Sequence, residues 1–159
     1  MIHIADTISP RRIDSSARVT SKKCALERLS SLVADGEDSL QATEVFDSLV
    51  AREKLGSTGI GHGVAIPHGR VGKLDHAVSA FVRLEEGVDF DAIDKEPVAY
   101  LFALLVPKES NEEHLQLLSQ LAKMFSNPAM RERLRLATSS EELYDLLSQT
   151  KKDDSAAID

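Results

Sequence analysis

The sequence has a single cysteine, Cys24, among its 159 residues. One thiol cannot form a disulfide within the chain, and it also excludes a zinc site built from several cysteines. No apolar run approaches the roughly 20 residues that a membrane-spanning helix needs. The opening residues 1–6 lack the basic and apolar regions of a signal peptide. We therefore expect a cytoplasmic protein with no membrane insertion.

Basic residues are outnumbered by acidic ones. The chain has 19 Lys and Arg residues against 26 Asp and Glu residues, so its formal net charge is −7 and its pI is near 5.2. Nucleic acids and anionic membrane surfaces select proteins with a basic face. The charge balance therefore argues against a nucleic-acid partner and favours basic protein surfaces as partners.

Length and composition predict one domain. A chain of 159 residues with 42% hydrophobic content is large enough to bury one core. We expect a single domain over residues 1–150. Residues 151–159 are short, polar and charged, without apolar periodicity, and we expect them to form a flexible tail.

Apolar periodicity predicts alternating strands and helices. The first helix should begin after a cap at Thr20 or Ser21, and the second should close at Gly56. Helices are predicted at about 22–33, 43–50, 112–125, 128–136 and 139–147, and strands at 12–19, 64–66, 76–84 and 97–106. The last strand is so uniformly apolar that it should be central, with helices on both faces. These patterns predict a layered α/β domain.

Residues 52–69, REKLGSTGIGHGVAIPHG, contain the best candidate for chemistry. Glycines between 56 and 63 let the backbone adopt positive φ and approach a ligand closely. Residues 64–66 are predicted to form a short buried strand that ends at Pro67, so His68 should lie where the chain turns. A neutral imidazole can attack phosphorus through one nitrogen while a carbonyl holds the N–H of the other. His68 is therefore a candidate phosphoryl acceptor.

The same segment offers groups that could bind phosphoryl oxygens. These are the hydroxyls of Ser57 and Thr58, the backbone N–H of Gly59 and the guanidinium of Arg52. A plain surface loop with an exposed histidine at a turn remains an alternative interpretation. Nucleotide binding is not favoured, because a strand follows the glycines where nucleotide-binding loops need a helix.

His114 is a second candidate. On its predicted helix it shares a face with Leu118, Leu121 and Phe125, so it should point toward the core near the helix start. A helix start favours anions, which suits a donor to a phosphoryl group on His68. The alternative is a buried histidine that is satisfied by a backbone carbonyl, and the residue pattern leaves both open.

The segment 52–69 resembles the active-site signature of enzyme IIA domains of the fructose/mannitol class in the bacterial phosphoenolpyruvate-dependent phosphotransferase system. The resemblance extends to residues 90–94, 101–107 and 114–122, and so covers nearly the whole chain except the termini. Within this class the sequence is most similar to the nitrogen-regulatory enzymes IIA, through residues 21–27 and 140–144.

The resemblance implies a single α/β domain with a mixed β-sheet flanked by helices on both faces. It implies that His68 is the phosphorylated histidine, His114 a second active-site histidine, and Arg52 the arginine beside the site. It also implies that an HPr-like phosphocarrier, the NPr of the nitrogen-regulatory system, is the donor. Neither a nucleotide nor a metal cofactor is needed, because catalysis is positioning and charge stabilisation.

Three classes of function stay open. A regulatory phosphoprotein would act on targets such as potassium-transport or sensor-kinase proteins, and the solitary domain favours this class. A sugar-transport enzyme IIA would pass the phosphoryl group to a fructose- or mannitol-type IIB. A metal-binding module would use His62, His68, His76 and His114, but their spacing fits no recognised ligand pair.

Overall fold

The computed structural model of the protein describes residues 2–149. Two short 3₁₀ turns, Ile4–Asp6 and Pro10–Arg12, precede the first strand. The strands are β1 Ile13–Ala17, β2 Gly59–Gly61, β3 Val64–Ala65, β4 His68–Val71, β5 Val78–Val88 and β6 Val98–Pro107. The helices are α1 Lys22–Ala34, α2 Ala42–Glu53, α3 Glu112–Ser126, α4 Pro128–Leu136 and α5 Ser140–Leu147. The tail predicted at 151–159 lies outside the described residues.

Helix boundaries follow the capping residues in most places. Ser21 caps α1 by accepting the N–H of Cys24 at 3.1 Å, which confirms one of the two predicted caps. The prediction that Gly56 caps α2 is wrong, because that helix ends at Glu53 with Lys54 as its cap. The N–H of Lys54 bonds the carbonyl of Val50, and Gly56 lies two residues further along the chain.

The strands form one mixed sheet, as the resemblance implies. Its order is β1-β5-β6-β3-β2, and β4 also pairs with β6. β1 is parallel to β5, while β3 and β4 are both parallel to β6. β5 with β6 and β2 with β3 are antiparallel pairs. β6 therefore lies inside the sheet with neighbours on both edges, which confirms its predicted central position.

Both faces of the sheet are covered by helices. In β6, Leu101, Ala103 and Leu105 belong to the apolar cluster formed with α1 and α2. Phe102 and Leu104 belong to the cluster formed with α3, α4 and α5. The alternation follows from the two-residue side-chain period of a strand. The predicted fold class is confirmed.

β3 and β4 form one line along β6, interrupted only at residues 66 and 67. Val64 pairs with Tyr100 and His68 pairs with Leu104, so the register is the same before and after the interruption. Pro67 has no N–H to give to the ladder, but its carbonyl accepts the N–H of Leu104 at 2.9 Å. The expectation that His68 lies at a turn is therefore wrong, because His68 opens β4.

The glycine-rich segment is partly a β-hairpin. β2 and β3 are joined by a two-residue turn in which His62 has φ 58° and Gly63 has φ 77°. Two positive φ values are what a type I′ hairpin turn requires. The N–H of His62 donates to the carboxylate of Asp94 at 3.0 Å. Within residues 2–149, no helix is both long and apolar enough to cross a membrane.

Candidate active site

A close contact between α2 and β4 forms the frame of the site. A Cβ atom at Gly69 would lie 2.1 Å from Oγ of Ser48, so only glycine lets the helix lie at this distance. Ser48 Oγ donates to the carbonyl of Arg70 at 3.0 Å. Arg52 lies one helical turn beyond Ser48, so the contact brings its side chain beside the start of β4.

His68 is held in one orientation by two hydrogen bonds. Its Nδ1 lies 2.8 Å from the carbonyl oxygen of Ile66, and because a carbonyl only accepts, Nδ1 carries the proton. Its Nε2 accepts a hydrogen bond from Nε of Arg52 at 3.2 Å. Burial, and to a lesser extent the charge of Arg52, lower the pKa of His68. The ring is therefore neutral near pH 7, with Nε2 as its unprotonated nitrogen.

Arg52 has a second anchor. Its Nη1 donates to the carbonyl of Gly56 at 2.8 Å, while its Nε faces His68. The guanidinium is thus held between the chain just after α2 and the first residue of β4. A guanidinium fixed at this point presents further N–H groups to any oxyanion that reaches Nε2 of His68.

His114 lies against His68, at the start of α3. It is only 7% exposed, and the two rings meet edge to face with centroids 5.2 Å apart. Burial, followed by repulsion from the charge that His68 carries when it is protonated and from the guanidinium groups of Arg70 and Arg52, lowers the pKa of His114 to about 4. Its Nδ1 has no hydrogen-bond partner among the described residues. His114 is therefore a neutral imidazole beside the ring of His68.

The buried face of α3 agrees with the predicted one only in part, since Leu118 is half-buried. His114, Leu121 and Phe125 are buried, as expected. Ala122, which the apolar spacing of this helix also includes, is exposed, and so is Leu115, at 68%. Leu115 follows His114 directly, and one residue along a helix rotates the side chain by about 100° away from the buried face.

Ser57, Thr58 and Gly59 form hydrogen bonds inside the protein. Ser57 Oγ donates to the carbonyl of Phe90 at 2.7 Å and accepts the N–H of Gly59 at 3.0 Å. The N–H and hydroxyl of Thr58 both donate to the carboxylate of Glu53. Phosphate binding by these three residues stays a prediction, and it would require these bonds to be exchanged for bonds to the phosphoryl group.

Arg70 is a site residue that the sequence interpretation missed. It lies two residues after His68 in β4, so the two side chains project from the same face of the strand. Its exposed guanidinium is close enough to help lower the pKa of His114. The sequence did contain a signal for Arg70, because side chains two positions apart in a strand, such as 68 and 70, project from the same face. It was missed because His68 was assigned to a turn.

The histidines named in the metal hypothesis do not form one cluster. In the part of the chain that the structure describes, no three His, Cys, Asp or Glu side chains are grouped so that they could hold a metal ion. His76 bonds the carboxylates of Asp75 at 2.5 Å and Glu37 at 3.1 Å. Among the four histidines, the ring contact found in residues 2–149 is the one between His68 and His114.

The chain is similar to known proteins over most of its length. The family described as "Phosphoenolpyruvate-dependent sugar phosphotransferase system, EIIA 2" matches residues 6–150. A protein of Pseudomonas aeruginosa named nitrogen regulatory protein is 45% identical over 147 residues, which cover 92% of this chain and 96% of that protein.

Two solved structures share the fold. The crystal structure of the nitrogen regulatory protein IIA-Ntr from Neisseria meningitidis has a TM-score of 0.85 and 43% identity, covering 91% of this chain and 98% of that chain. The mannitol IIA of Escherichia coli has a TM-score of 0.74 at 24% identity, covering 89% and 99%. At 24% identity the second match shows the fold alone. The family match and the identity to the Pseudomonas protein show that this chain belongs to the EIIA type 2 family of the phosphoenolpyruvate-dependent phosphotransferase system.

Proposed function

We propose that the protein is a phosphohistidine carrier in a nitrogen-regulatory phosphotransferase relay. It accepts a phosphoryl group on His68 from an HPr-like carrier and regulates target proteins according to its phosphorylation state. The observation that carries this proposal is the fixed tautomer of His68, whose protonated Nδ1 faces Ile66 and whose Nε2 is unprotonated. An imidazole held in this way is a competent nucleophile toward phosphorus at neutral pH.

In the proposed transfer, the bond between Nε2 of His68 and phosphorus forms as the P–N bond of the donor phosphohistidine breaks. The donor phosphohistidine, protonated on its other ring nitrogen, leaves as a neutral imidazole. Phosphorylated His68 is then the corresponding imidazolium, with its Nδ1 proton still on the carbonyl of Ile66. The lone pair of His68 Nε2 is used in the new bond to phosphorus. The Nε–H of Arg52 therefore donates to a phosphoryl oxygen instead. Neutral His114 donates a hydrogen bond to another oxygen.

A nitrogen-regulatory role is favoured over sugar transport. The relatives at 45% and 43% identity are both named nitrogen regulatory proteins, whereas the mannitol enzyme matches at 24%. The chemistry at His68 is the same in both cases, and only the acceptor of the phosphoryl group differs. Under the regulatory proposal, the targets are proteins such as potassium transporters or sensor kinases, and phosphorylation alters their binding through about −1.5 to −2 added charges.

The first experiment is intact-mass analysis after incubation with phosphoenolpyruvate, enzyme I and an HPr-type carrier. His68→Ala is compared with the wild type, and His76→Ala serves as the matched control because His76 is exposed and paired with Glu37. We expect one acid-labile phosphoryl group on the wild type and on His76→Ala, and none on His68→Ala. Equal phosphorylation of His68→Ala, or none on the wild type with several active carriers, would contradict the proposal.

The acceptor is tested on the phosphorylated protein. A fructose-type IIB is added, and the loss of the phosphoryl group is followed over time. We expect the group to be retained if the role is regulatory. Rapid and complete transfer to the IIB would instead favour the sugar-transport alternative.

A further inference from the structure

Glu53 is a buried carboxylate directly beside Arg52, at the end of α2. Its side chain is 5% exposed. Its oxygens accept the N–H of Thr58 at 3.1 and 3.2 Å, together with the hydroxyl of the same residue. Lys22 from the start of α1 pairs with it at 2.9 Å. Every contact of this carboxylate is thus with the protein, which is what a buried charge requires.

Lys22 joins a third segment to the same cluster. Its Nζ lies 3.4 Å from the carbonyl of Phe90 and 4.6 Å from the centre of the Phe90 ring. The same carbonyl accepts the hydroxyl of Ser57 at 2.7 Å. The start of α1, residues 57–59 and the chain after β5 therefore meet around Glu53.

The cluster closes a short arch of the chain that holds Arg52. We define the arch as residues 54–58, which begin after Glu53 and return to its carboxylate through Thr58. Within the arch, the carbonyl of Gly56 accepts Nη1 of Arg52 at 2.8 Å. The other end of that guanidinium, Nε, lies 3.2 Å from Nε2 of His68. Displacing the arch would therefore displace the guanidinium from the reacting nitrogen.

Building on the proposed phosphoryl transfer, we propose that Glu53 is a positioning residue: its bonds to Thr58 fix the arch whose Gly56 carbonyl holds Arg52 against His68. A carboxylate near an arriving phosphoryl group would by itself oppose the transfer through charge repulsion. Here Lys22 offsets that charge, and the two oxygens are directed at Thr58 rather than at His68. The role of Glu53 is thus exerted through Arg52.

The test measures the rate of phosphoryl acceptance from a phosphorylated HPr-type carrier. Glu53→Ala should slow acceptance by about tenfold to a hundredfold, the range expected when a stabilising group is misplaced by about 1 Å. Glu44→Ala is the matched control, because Glu44 lies on the same helix and pairs only with exposed Lys73 among the described contacts. Its rate should equal that of the wild type. Glu53→Gln keeps an acceptor oxygen for Thr58, so its rate of phosphoryl acceptance should lie between the rates of Glu53→Ala and the wild type.

A double-mutant cycle separates positioning from general damage. If Glu53 acts through Arg52, removing it from the Arg52→Ala variant should change the rate by less than about twofold. If the losses of the two single variants multiply, the proposal is wrong. The cycle can be repeated with Glu53→Gln if the alanine variant does not fold.

A second measurement uses the resting protein and does not depend on phosphoryl transfer. In ¹⁵N NMR spectra, the Arg52 Nε–H and Thr58 amide signals should be protected from exchange in the wild type and in Glu44→Ala. Both should lose protection in Glu53→Ala and keep part of it in Glu53→Gln, which retains one acceptor oxygen for Thr58. An Arg52 signal as well protected in Glu53→Ala as in the wild type would overturn the positioning role. If the wild type accepts no phosphoryl group, the proposed function fails, and this measurement alone decides the role of Glu53.

Discussion

At the residue scale, the site depends on two imidazoles that are kept uncharged. Burial is the largest cause of the lowered pKa values of His68 and His114, and nearby guanidinium groups add to it. A protonated His68 could not attack phosphorus, because Nε2 would have no lone pair. Phosphorylation would add negative charge beside His114, so it should raise the pKa of that ring.

The same shift predicts a pH dependence of stability. His114 has a pKa of about 4 in the folded protein against 6.5 for an unperturbed histidine, so the unfolded chain binds more protons between these limits. The free energy of unfolding should therefore fall as pH falls from 6.5 to 4, by about 3 kcal/mol from this group. Urea titrations at several pH values measure this. In His114→Gln the fall should be smaller, with the part due to His68 remaining.

His76 provides a control of opposite sign. Hydrogen bonds to Asp75 and Glu37 raise its pKa, so its contribution to stability is present at low pH and is lost as pH rises through the folded pKa. His76→Gln should therefore remove the rise in stability that occurs as pH falls through the folded pKa of His76 to 6.5, with little effect on the fall between pH 6.5 and 4. An unchanged pH profile in His114→Gln would mean that His114 is not held neutral by burial.

At the scale of elements, the site depends on how closely α2 approaches β4. Gly69 permits this approach, and the last turn of the helix then carries Arg52 to His68. A methyl group at position 69 would meet Oγ of Ser48 at 2.1 Å, and its Cβ and carbonyl oxygen at 3.2 Å. Rotation of the serine hydroxyl relieves only the first of these contacts, so the helix itself must shift.

Gly69→Ala should therefore lower both stability and activity. Overpacking of this kind costs about 1–3 kcal/mol, and a shifted Arg52 should slow phosphoryl acceptance. Gly72→Ala is the matched control, because the nearest atom to its added Cβ would be Lys108 Cδ at 3.9 Å. Thermal unfolding and acceptance rates measure both effects. A Gly69→Ala protein with wild-type stability and rate would show that the close approach is not required.

At the scale of the whole molecule, two apolar clusters share one sheet. β5 and β6 contribute alternate residues to the cluster under α1 and α2 and to the cluster under α3, α4 and α5. If β5 and β6 unfolded, the apolar side chains of both clusters would be exposed together. Unfolding of the two clusters should therefore be cooperative.

Substitutions on opposite faces of β6 test this expectation. Leu101→Ala and Leu104→Ala each truncate a side chain that is 0% exposed, so each should cost about 2–5 kcal/mol. Both substitutions should lower the midpoint of the same single unfolding transition in urea. Leu136→Ala, at a site that is 60% exposed, should change stability by less than about 0.5 kcal/mol. Two separate transitions would contradict the shared core.

Several elements could be predicted because their signals are local. α4 matches its predicted bounds, and Pro128 at its first turn and Asn127 as its cap explain why. β6 was predicted as central from its apolar run alone. The interrupted line of β3 and β4 could not be predicted, because Pro67 normally ends a strand and only pairing with β6 continues this one.

Some residues of the candidate site could likewise be predicted from the sequence, and others could not. Chemistry and resemblance singled out His68, Arg52 and His114 because their residue types and surrounding motif are visible in the chain. Arg70 and Glu53 were not assigned roles, because a charged residue in a strand or at a helix end is ordinary without its neighbours. Burial of Glu53 under Lys22 is a property of packed elements, and no local pattern reports it.

The sequence by itself thus determined the layered fold class, the central strand and the segment that holds the proposed phosphoryl acceptor, because hydrophobic period and motif are encoded along the chain. Only the tertiary structure decided which nitrogen of His68 is unprotonated, that His114 is neutral, and that Arg52 is held by the arch. They depend on burial and on contacts such as that of Arg52 in α2 with His68 in β4. Both arise only when the helices pack against the sheet.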